Sequence, residues 1–142
     1  FKCVYHISEE VETNNIKIPP MLLQPFVENA IWHGLMHKKG EGTITIEITM
    51  NNPSTRLRER QLTMENEQLL QITITDDGIG REKAAELKSK SATHKSHGLK
   101  VTSQRIEMMN KLNSSGARVE VIDLKDSGGY ATGTQVVMVI PI

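Results

Sequence analysis

The sequence has few cysteines, few aromatic residues and no net charge, features that would otherwise indicate particular classes of protein. It contains one cysteine in 142 residues, 4% aromatic side chains and no net charge, because 17 Lys and Arg balance 17 Asp and Glu. A lone Cys3 excludes an internal disulfide. The balanced charge provides no electrostatic surface for nucleic acid or anionic lipid, so neither is expected as a partner.

Long hydrophobic runs are also missing. No segment reaches the roughly 18 apolar residues of a membrane span, and none combines a basic start with an apolar stretch. We therefore expect a soluble, cytoplasmic chain. A hydrophobic content of 37% in 142 residues is enough for one core, which predicts a single domain over residues 1–142. The chain opens at Phe1, inside a strand-like alternation, so we expect a fragment of a longer protein.

The periodicity of apolar residues predicts the secondary structure. Strands are expected at 1–7, 43–49, 69–75, 118–124 and 135–140, and helices at 22–34, 81–88 and 99–112. A polar hairpin connection is expected at 51–67 and a mobile loop at 89–97. Together these elements predict an α/β fold, a two-layer sandwich in which about three helices cover one face of a mixed β-sheet.

The first helix carries polar residues on an otherwise apolar segment, Gln24-Pro-Phe-Val-Glu-Asn-Ala-Ile-Trp-His-Gly34. Asn29 and His33 are four residues apart and share a face, while Glu28 lies about 100° round from Asn29. A carboxamide oxygen suits Mg²⁺. Glu28 could accept a proton, and His33 could contact a phosphate. Each residue alone is explained by a solvated helix face, but the three together favour a site.

The second motif is Asp76-Asp-Gly-Ile-Gly80, directly after a predicted strand. An ionised Asp76 can accept a hydrogen bond from an exocyclic amine, which adenine has at a position where guanine does not. Gly78 and Gly80 would let the backbone approach a flat ring. Taken alone, Asp-Asp-Gly is commonly an ordinary turn, and the acid spacing excludes an EF-hand calcium loop.

Two weaker signals follow. Gly98 precedes a predicted helix, where free backbone N–H groups could bind phosphate. Gly133 and Thr134 lead into the last predicted strand, which is a common arrangement. Neither signal identifies a site by itself.

Taken in order, these pieces resemble the catalytic and ATP-binding domain of sensor histidine kinases, in the GHKL superfamily that also includes DNA gyrase and MutL. The resemblance covers nearly the whole chain. The run Ile18-Pro-Pro-Met-Leu-Leu-Gln-Pro-Phe-Val-Glu-Asn-Ala-Ile-Trp-His-Gly-Leu35 is similar to the LytS-type subfamily.

The resemblance implies ATP and Mg²⁺ as cofactors. Asn29 would bind magnesium, Glu28 would be the polarising base, and Asp76 would bind the adenine amine. The lid over ATP would be 89–97, and the other ATP-binding positions would be Gly78, Gly80, Gly98, Leu99 and Thr134. Two departures stand out. Trp32 occupies a position where many relatives carry a lysine that reaches phosphate, which leaves His33 or Lys95 for that contact, and the lid ends with a single glycine.

The implied activity is transfer of the ATP γ-phosphate to a histidine on a separate dimerisation segment, for relay to a response regulator. The full-length protein would be a membrane-anchored homodimer. The acceptor motif of the subfamily does not occur in the sequence. Two alternatives stay open, namely a serine/threonine kinase of the anti-sigma-factor type and a degenerate domain that binds nucleotide, or only a partner, without transfer.

Overall fold

Five strands and three helical segments make up the described part of the chain, which in this computed structural model comprises residues 1–18, 22–51, 68–90 and 117–142. The strands are β1 Lys2–Ile7, β2 Thr43–Asn51, β3 Leu69–Asp76, β4 Arg118–Lys125 and β5 Ala131–Pro141. The helical segments are α1 Gln24–Asn29, a π-helix at Ala30–Leu35 and α2 Arg81–Lys90.

The strands form one mixed sheet in the order β1-β2-β3-β5-β4. β1 runs parallel to β2, and the other neighbouring pairs are antiparallel. All five strands predicted from the alternation are present, and the predicted mixed sheet is confirmed.

The two faces of the sheet differ in polarity, because paired residues lie on the same face and neighbours along a strand lie on opposite faces. One row across the sheet is apolar and consists of Ile46, Ile74, Val136 and Val121. The adjacent row, on the other face, begins with Thr45, Thr75 and Gln135. The apolar face packs against Phe26, Ala30 and Leu35 of the helical segments to form the core. This is the predicted two-layer sandwich.

The first helix differs in type from the prediction. It begins at Gln24 with Pro25 in its first turn and changes to a π-helix after Asn29. There the Met36 N–H donates to the Ile31 carbonyl at 2.9 Å, five residues back. The prediction of a continuous α-helix over 22–34 was therefore wrong beyond Asn29, where the segment is a π-helix. π-helical turns are rare and occur frequently at functional sites.

The last strand also begins earlier than predicted. β5 starts at Ala131 rather than at 135, and the pairing with β4 shifts register between Leu124 and Lys125. Gly133 and Thr134 therefore lie within the strand, not in the turn before it. α2 extends to Lys90 and includes the first two positions of the predicted lid. The rest of that lid, the helix predicted at 99–112 and the connection at 52–67 lie outside the described residues. None of the described helices has the length and hydrophobicity needed to cross a membrane.

Candidate functional site

A pocket opens between the first helical segments and the end of the sheet where β3 finishes. It contains about 510 Å³ of space between protein atoms, a figure that includes open solvent at its mouth. Its lining comes from the three helical segments, three strands and the turn before α2: Phe26, Asn29, Ala30, His33, Gly34, Ile74, Asp76, Gly80, Arg81, Val121, Thr134 and Val136.

Most of the pocket wall is apolar. Phe26 and Ala30 approach from α1 and the π-helix, and Ile74, Val121 and Val136 approach from the sheet. These residues were predicted only as core, because hydrophobic periodicity marks a buried face without showing which buried residues border a cavity. An apolar slot with few polar groups suits a flat heteroaromatic ring.

Asp76 is the buried carboxylate in the lining of this slot. It is the last residue of β3 and is 4% exposed. Its Oδ1 accepts a hydrogen bond from the Gly78 N–H at 2.9 Å, and the Thr134 backbone N–H also donates to the carboxylate. Burial raises the pKa of Asp76 above its ordinary value, and these two hydrogen bonds only partly oppose the rise. The site thus contains a buried carboxylate held by main-chain donors.

The neighbouring Asp77 points elsewhere and has another role. Its Oδ1 accepts from the Thr43 N–H at 2.8 Å, and its Oδ2 lies 2.9 Å from Lys38 Nζ. Although partial burial acts to raise the pKa of Asp77, the bonds from Lys38 and Thr43 lower it overall. Asp77 therefore links the turn to β2, while Asp76 borders the pocket.

Close glycine contacts bring the helical segment and the turn together beside Asp76. The Ile79 N–H donates to the Gly34 carbonyl at 3.2 Å. A Cβ atom on Gly78 would overlap the backbone of Gly34, and one on Gly133, where φ is +146°, would overlap the Asp76 carbonyl. Gly78 thus shapes the site by backbone approach rather than by lining it, whereas Gly80 and Thr134 both border the pocket.

Asn29 and His33 both border the pocket, as the shared helix face predicted. Asn29 Nδ2 is buried, and within the described residues it has no hydrogen-bond partner. A buried amide left unpaired costs about 1–3 kcal/mol, so this group favours a ligand that would use it. The amide nitrogen would donate to that ligand, and the amide oxygen is the atom able to bind a cation.

The same amide fits a magnesium ion. Mg²⁺ takes oxygen donors, usually one or two from protein with the rest from phosphate and water. Across the described ranges, no three or more His, Cys, Asp or Glu side chains cluster into a metal site. Among the described residues, the donors present would suit a metal held by one side-chain oxygen together with a phosphorylated ligand.

Glu28 and Trp32 lie away from the pocket lining. Glu28 is exposed, and its Oε1 accepts a hydrogen bond from Gln24 Nε2 at 2.7 Å. Trp32 is 58% exposed. The structure therefore brings together Asn29, His33 and Asp76, with Glu28 on the adjoining helix surface. Lys95, Gly98 and Leu99, the predicted lid contacts, lie outside the described residues.

Arg81 is a pocket residue that the sequence analysis did not identify. It is the first residue of α2, and its Nε and Nη2 donate to the two carboxylate oxygens of Asp123 at 2.6 Å and 2.7 Å. The bond from Arg81 lowers the pKa of Asp123, and Asp123 in turn raises the pKa of Arg81. In the sequence, the feature that could have pointed to Arg81 as a pocket residue is its position directly after Gly80 of the second motif.

In sequence, the chain is similar to sensor histidine kinases over short stretches, and no protein-family profile matches it. It is 51% identical to the sensor histidine kinase YpdA of Escherichia coli over 45 residues, 32% of this chain and 7% of YpdA. It is 54% identical to the sensor protein LytS of Oceanobacillus iheyensis over 35 residues, 25% of this chain and 6% of LytS.

A wider match, 31% identical over 104 residues, relates 73% of the chain to 32% of YwpD, an uncharacterized protein of Bacillus subtilis. The chain thus spans about a third or less of the length of these relatives.

In structure, the chain is similar to the catalytic domain of histidine kinase ThkA in a nucleotide-free form. The TM-score is 0.51 at 14% identity, and the match covers 99% of this chain and 77% of that domain. The chain therefore has the α/β sandwich fold of histidine kinase catalytic domains. The resemblance predicted from the sequence motifs is confirmed.

Proposed function

We propose that this chain is the ATP-binding catalytic domain of a two-component sensor histidine kinase. It would transfer the ATP γ-phosphate to a histidine on a separate dimerisation segment, for relay to a response regulator. The full-length protein would be a membrane-anchored homodimer with this domain in the cytoplasm, and residues 1–142 would form one domain of it. The fold and the short, strongly identical stretches shared with sensor histidine kinases support the proposal.

The observation that carries the proposal is the environment of Asp76. A buried carboxylate borders a mostly apolar slot, and two backbone N–H groups donate to it. A carboxylate accepts hydrogen bonds, so it would pair with the exocyclic amine of adenine and repel the carbonyl oxygen that guanine carries at that position. The slot would therefore select ATP over GTP.

The phosphates would extend from the base toward the helical segment that carries Asn29 and His33. Asn29 would hold the magnesium ion, which would neutralise charge on the phosphates during transfer. His33 would contact a phosphate oxygen. Glu28 would orient or deprotonate the attacking group from the helix surface. Lys95, Gly98 and Leu99 would complete the phosphate side, and Gly78, Gly80 and Thr134 would complete the base side.

Calorimetry on the purified chain tests nucleotide binding directly. ATP and GTP would be titrated with and without Mg²⁺, and we expect ATP to bind at least about tenfold more tightly than GTP, a difference of about 1.4 kcal/mol. Equal affinities would contradict the role of Asp76. No binding of either nucleotide by a folded chain would contradict the proposed function.

The transfer step needs its own measurement. The chain would be mixed with labelled ATP and the dimerisation segment of its own full-length protein, and we expect acid-labile, base-stable phosphohistidine. Phosphate that is stable in acid and labile in base, on serine, would instead indicate a kinase of the anti-sigma-factor type.

One observation favours a second candidate function, a nucleotide-binding regulatory domain that does not transfer phosphate. Glu28, the proposed base, is bonded to Gln24 and does not border the pocket. ATP binding that leaves the supplied histidine segment unphosphorylated would support this candidate. Transfer that Glu28→Gln abolishes would exclude it.

A further inference from the structure

One row of residues crosses three strands at the end of the sheet that borders the pocket. Asp76 on β3 pairs with Thr134 on β5, and Thr134 pairs with Asp123 on β4. Paired residues share a face, so all three lie on the helix side of the sheet. The row begins at the proposed base-reading carboxylate and ends at the carboxylate that holds Arg81.

The orientation of the Arg81 guanidinium is set by a bidentate ion pair with Asp123. Two of its nitrogens donate to the two oxygens of one carboxylate, and this paired geometry sets the plane of the guanidinium as well as its position. Asp123 is itself in a paired strand, and α2 begins at Arg81. Arg81, whose side chain is 47% exposed, therefore carries an oriented, planar guanidinium, and the residue borders the pocket.

We propose that Arg81 is a base-binding residue of this pocket, and that its guanidinium packs on the face of the purine ring while Asp76 reads the ring edge. This inference rests on the proposed function. A guanidinium plane attracts aromatic faces, and a purine has such a face. Asp123 acts through Arg81 and is a positioning residue.

The pairing with Asp123 also argues against a phosphate-binding role for Arg81. The carboxylate already occupies two of the guanidinium donors and offsets its charge. A phosphate would have to displace that partner, whereas a stacked base would leave the ion pair intact. The effect of Arg81 should therefore depend on the base and not on the number of phosphates.

The test compares adenosine and ATP binding to the wild-type chain, Arg81→Ala, Arg81→Lys and Asp123→Asn by calorimetry. We expect Arg81→Ala to weaken both ligands by about the same factor, on the order of tenfold. Arg81→Lys should lose nearly as much, because lysine keeps the charge without the plane. Asp123→Asn should lose less, because the guanidinium stays but is held less firmly.

The chain offers a matched control. Lys125 and Glu82 form a second ion pair between β4 and α2, at 3.3 Å, and neither borders the pocket. Lys125→Ala should leave both affinities unchanged while removing a comparable link between the same two elements. Thermal melts of each variant verify folding, and Arg81→Lys carries the test if Arg81→Ala does not fold.

The outcomes separate the two proposals. A wild-type chain that binds ATP and adenosine, with unchanged affinities in Arg81→Lys and Arg81→Ala, overturns the inference and leaves the proposed function standing. A loss confined to ATP also overturns it, because that result assigns Arg81 to the phosphates. A folded wild-type chain that binds neither ligand overturns the proposed function and the inference with it.

Discussion

Gly34 lies directly against the carboxylate of Asp76: a Cβ atom added to Gly34 would come within 2.5 Å of Asp76 Oδ1. The π-helix and the end of β3 can approach this closely only because the helix residue has no side chain. The position of the Asp76 carboxylate, which would bind the base, therefore depends on the absence of a side chain at Gly34.

Gly34→Ala should damage both the fold and the site. Alanine is the better helix former by about 1 kcal/mol, so helix propensity alone would predict stabilisation. We expect instead a loss of about 1–3 kcal/mol in the free energy of unfolding, because the methyl group has no room beside Asp76. ATP affinity should fall at least about tenfold. Urea unfolding and calorimetry measure the two effects.

The control for Gly34→Ala is Gly128→Ala in the turn between β4 and β5. Its nearest contacts are with the exposed ring of Tyr130, which can move aside. This variant should keep wild-type ATP affinity. An increase in the stability of Gly34→Ala would contradict the contact with Asp76.

Asp76→Asn and Asp77→Asn should change stability in opposite directions at neutral pH. The pKa of Asp76 is raised, so its stabilising contribution is complete below the unfolded-state pKa and is lost as pH rises through the folded-state pKa. At neutral pH the folded protein must therefore bury an ionised carboxylate, which costs free energy. The neutral amide of Asp76→Asn avoids this cost, so the variant should be more stable than wild type. It should nevertheless lose selectivity for ATP over GTP.

The pKa of Asp77 is lowered, so its contribution is present above the unfolded-state pKa and is lost as pH falls through the folded-state pKa. Its side chain is 46% exposed, so Asp77→Asn should cost only about 0.5 kcal/mol. Urea unfolding of both variants at neutral pH checks the two signs. If Asp76→Asn were less stable than wild type, the ionised carboxylate would be stabilising the folded chain in the absence of nucleotide.

Acidic pH should weaken ATP binding earlier than an ordinary aspartate would. The ionised form of Asp76 accepts the adenine amine, and its pKa lies above the usual 3.8 because the group is buried. Affinity should therefore decline as pH falls toward the raised pKa, and Asp76→Asn should lack this component. Parallel titrations of the two proteins across mildly acidic pH isolate it, since the nucleotide titrates identically in both. Superimposable profiles would count against the assignment.

Asn29→Ala should remove the effect of magnesium on ATP binding and spare stability. The buried Nδ2 has no partner among the described residues, so its loss removes an unsatisfied group instead of a hydrogen bond. The free energy of unfolding should stay within about 1 kcal/mol of wild type or rise. Calorimetry with and without Mg²⁺ checks the metal, and Asn15→Ala, at an exposed site bonded to Glu12, is the control. A magnesium effect that survives in Asn29→Ala would refute the assignment.

The strands, the two-layer arrangement and the position of Asp76 at a strand end could all be predicted, because alternation of apolar residues reports which face of a strand is buried. Asp76 directly follows the predicted strand 69–75, and the family resemblance implied its role toward the adenine amine. The residues of the pocket wall could not be predicted in this way, because apolar periodicity indicates which residues are buried but not which of them border a cavity.

Other features depend on distant parts of the chain. The π-helix after Asn29 has the same apolar spacing as an α-helix over so short a segment. Gly133 reads as a turn residue, but it lies within β5, where the backbone of Asp76 leaves no space for a side chain. The pair of Arg81 and Asp123 joins residues 42 positions apart, and no local pattern signals it.

The parallel pairing of β1 with β2 has a dynamic consequence. Parallel neighbours require a crossover connection, and here that crossover contains α1 and the π-helix. A nucleotide that orders the crossover would also restrain the two strands on which it is mounted, including β1 at the border of the sheet. We expect ATP to slow amide hydrogen exchange in Lys2–Ile7, none of whose residues borders the pocket. Hydrogen exchange at the edge strand β1 would then report whether nucleotide is bound.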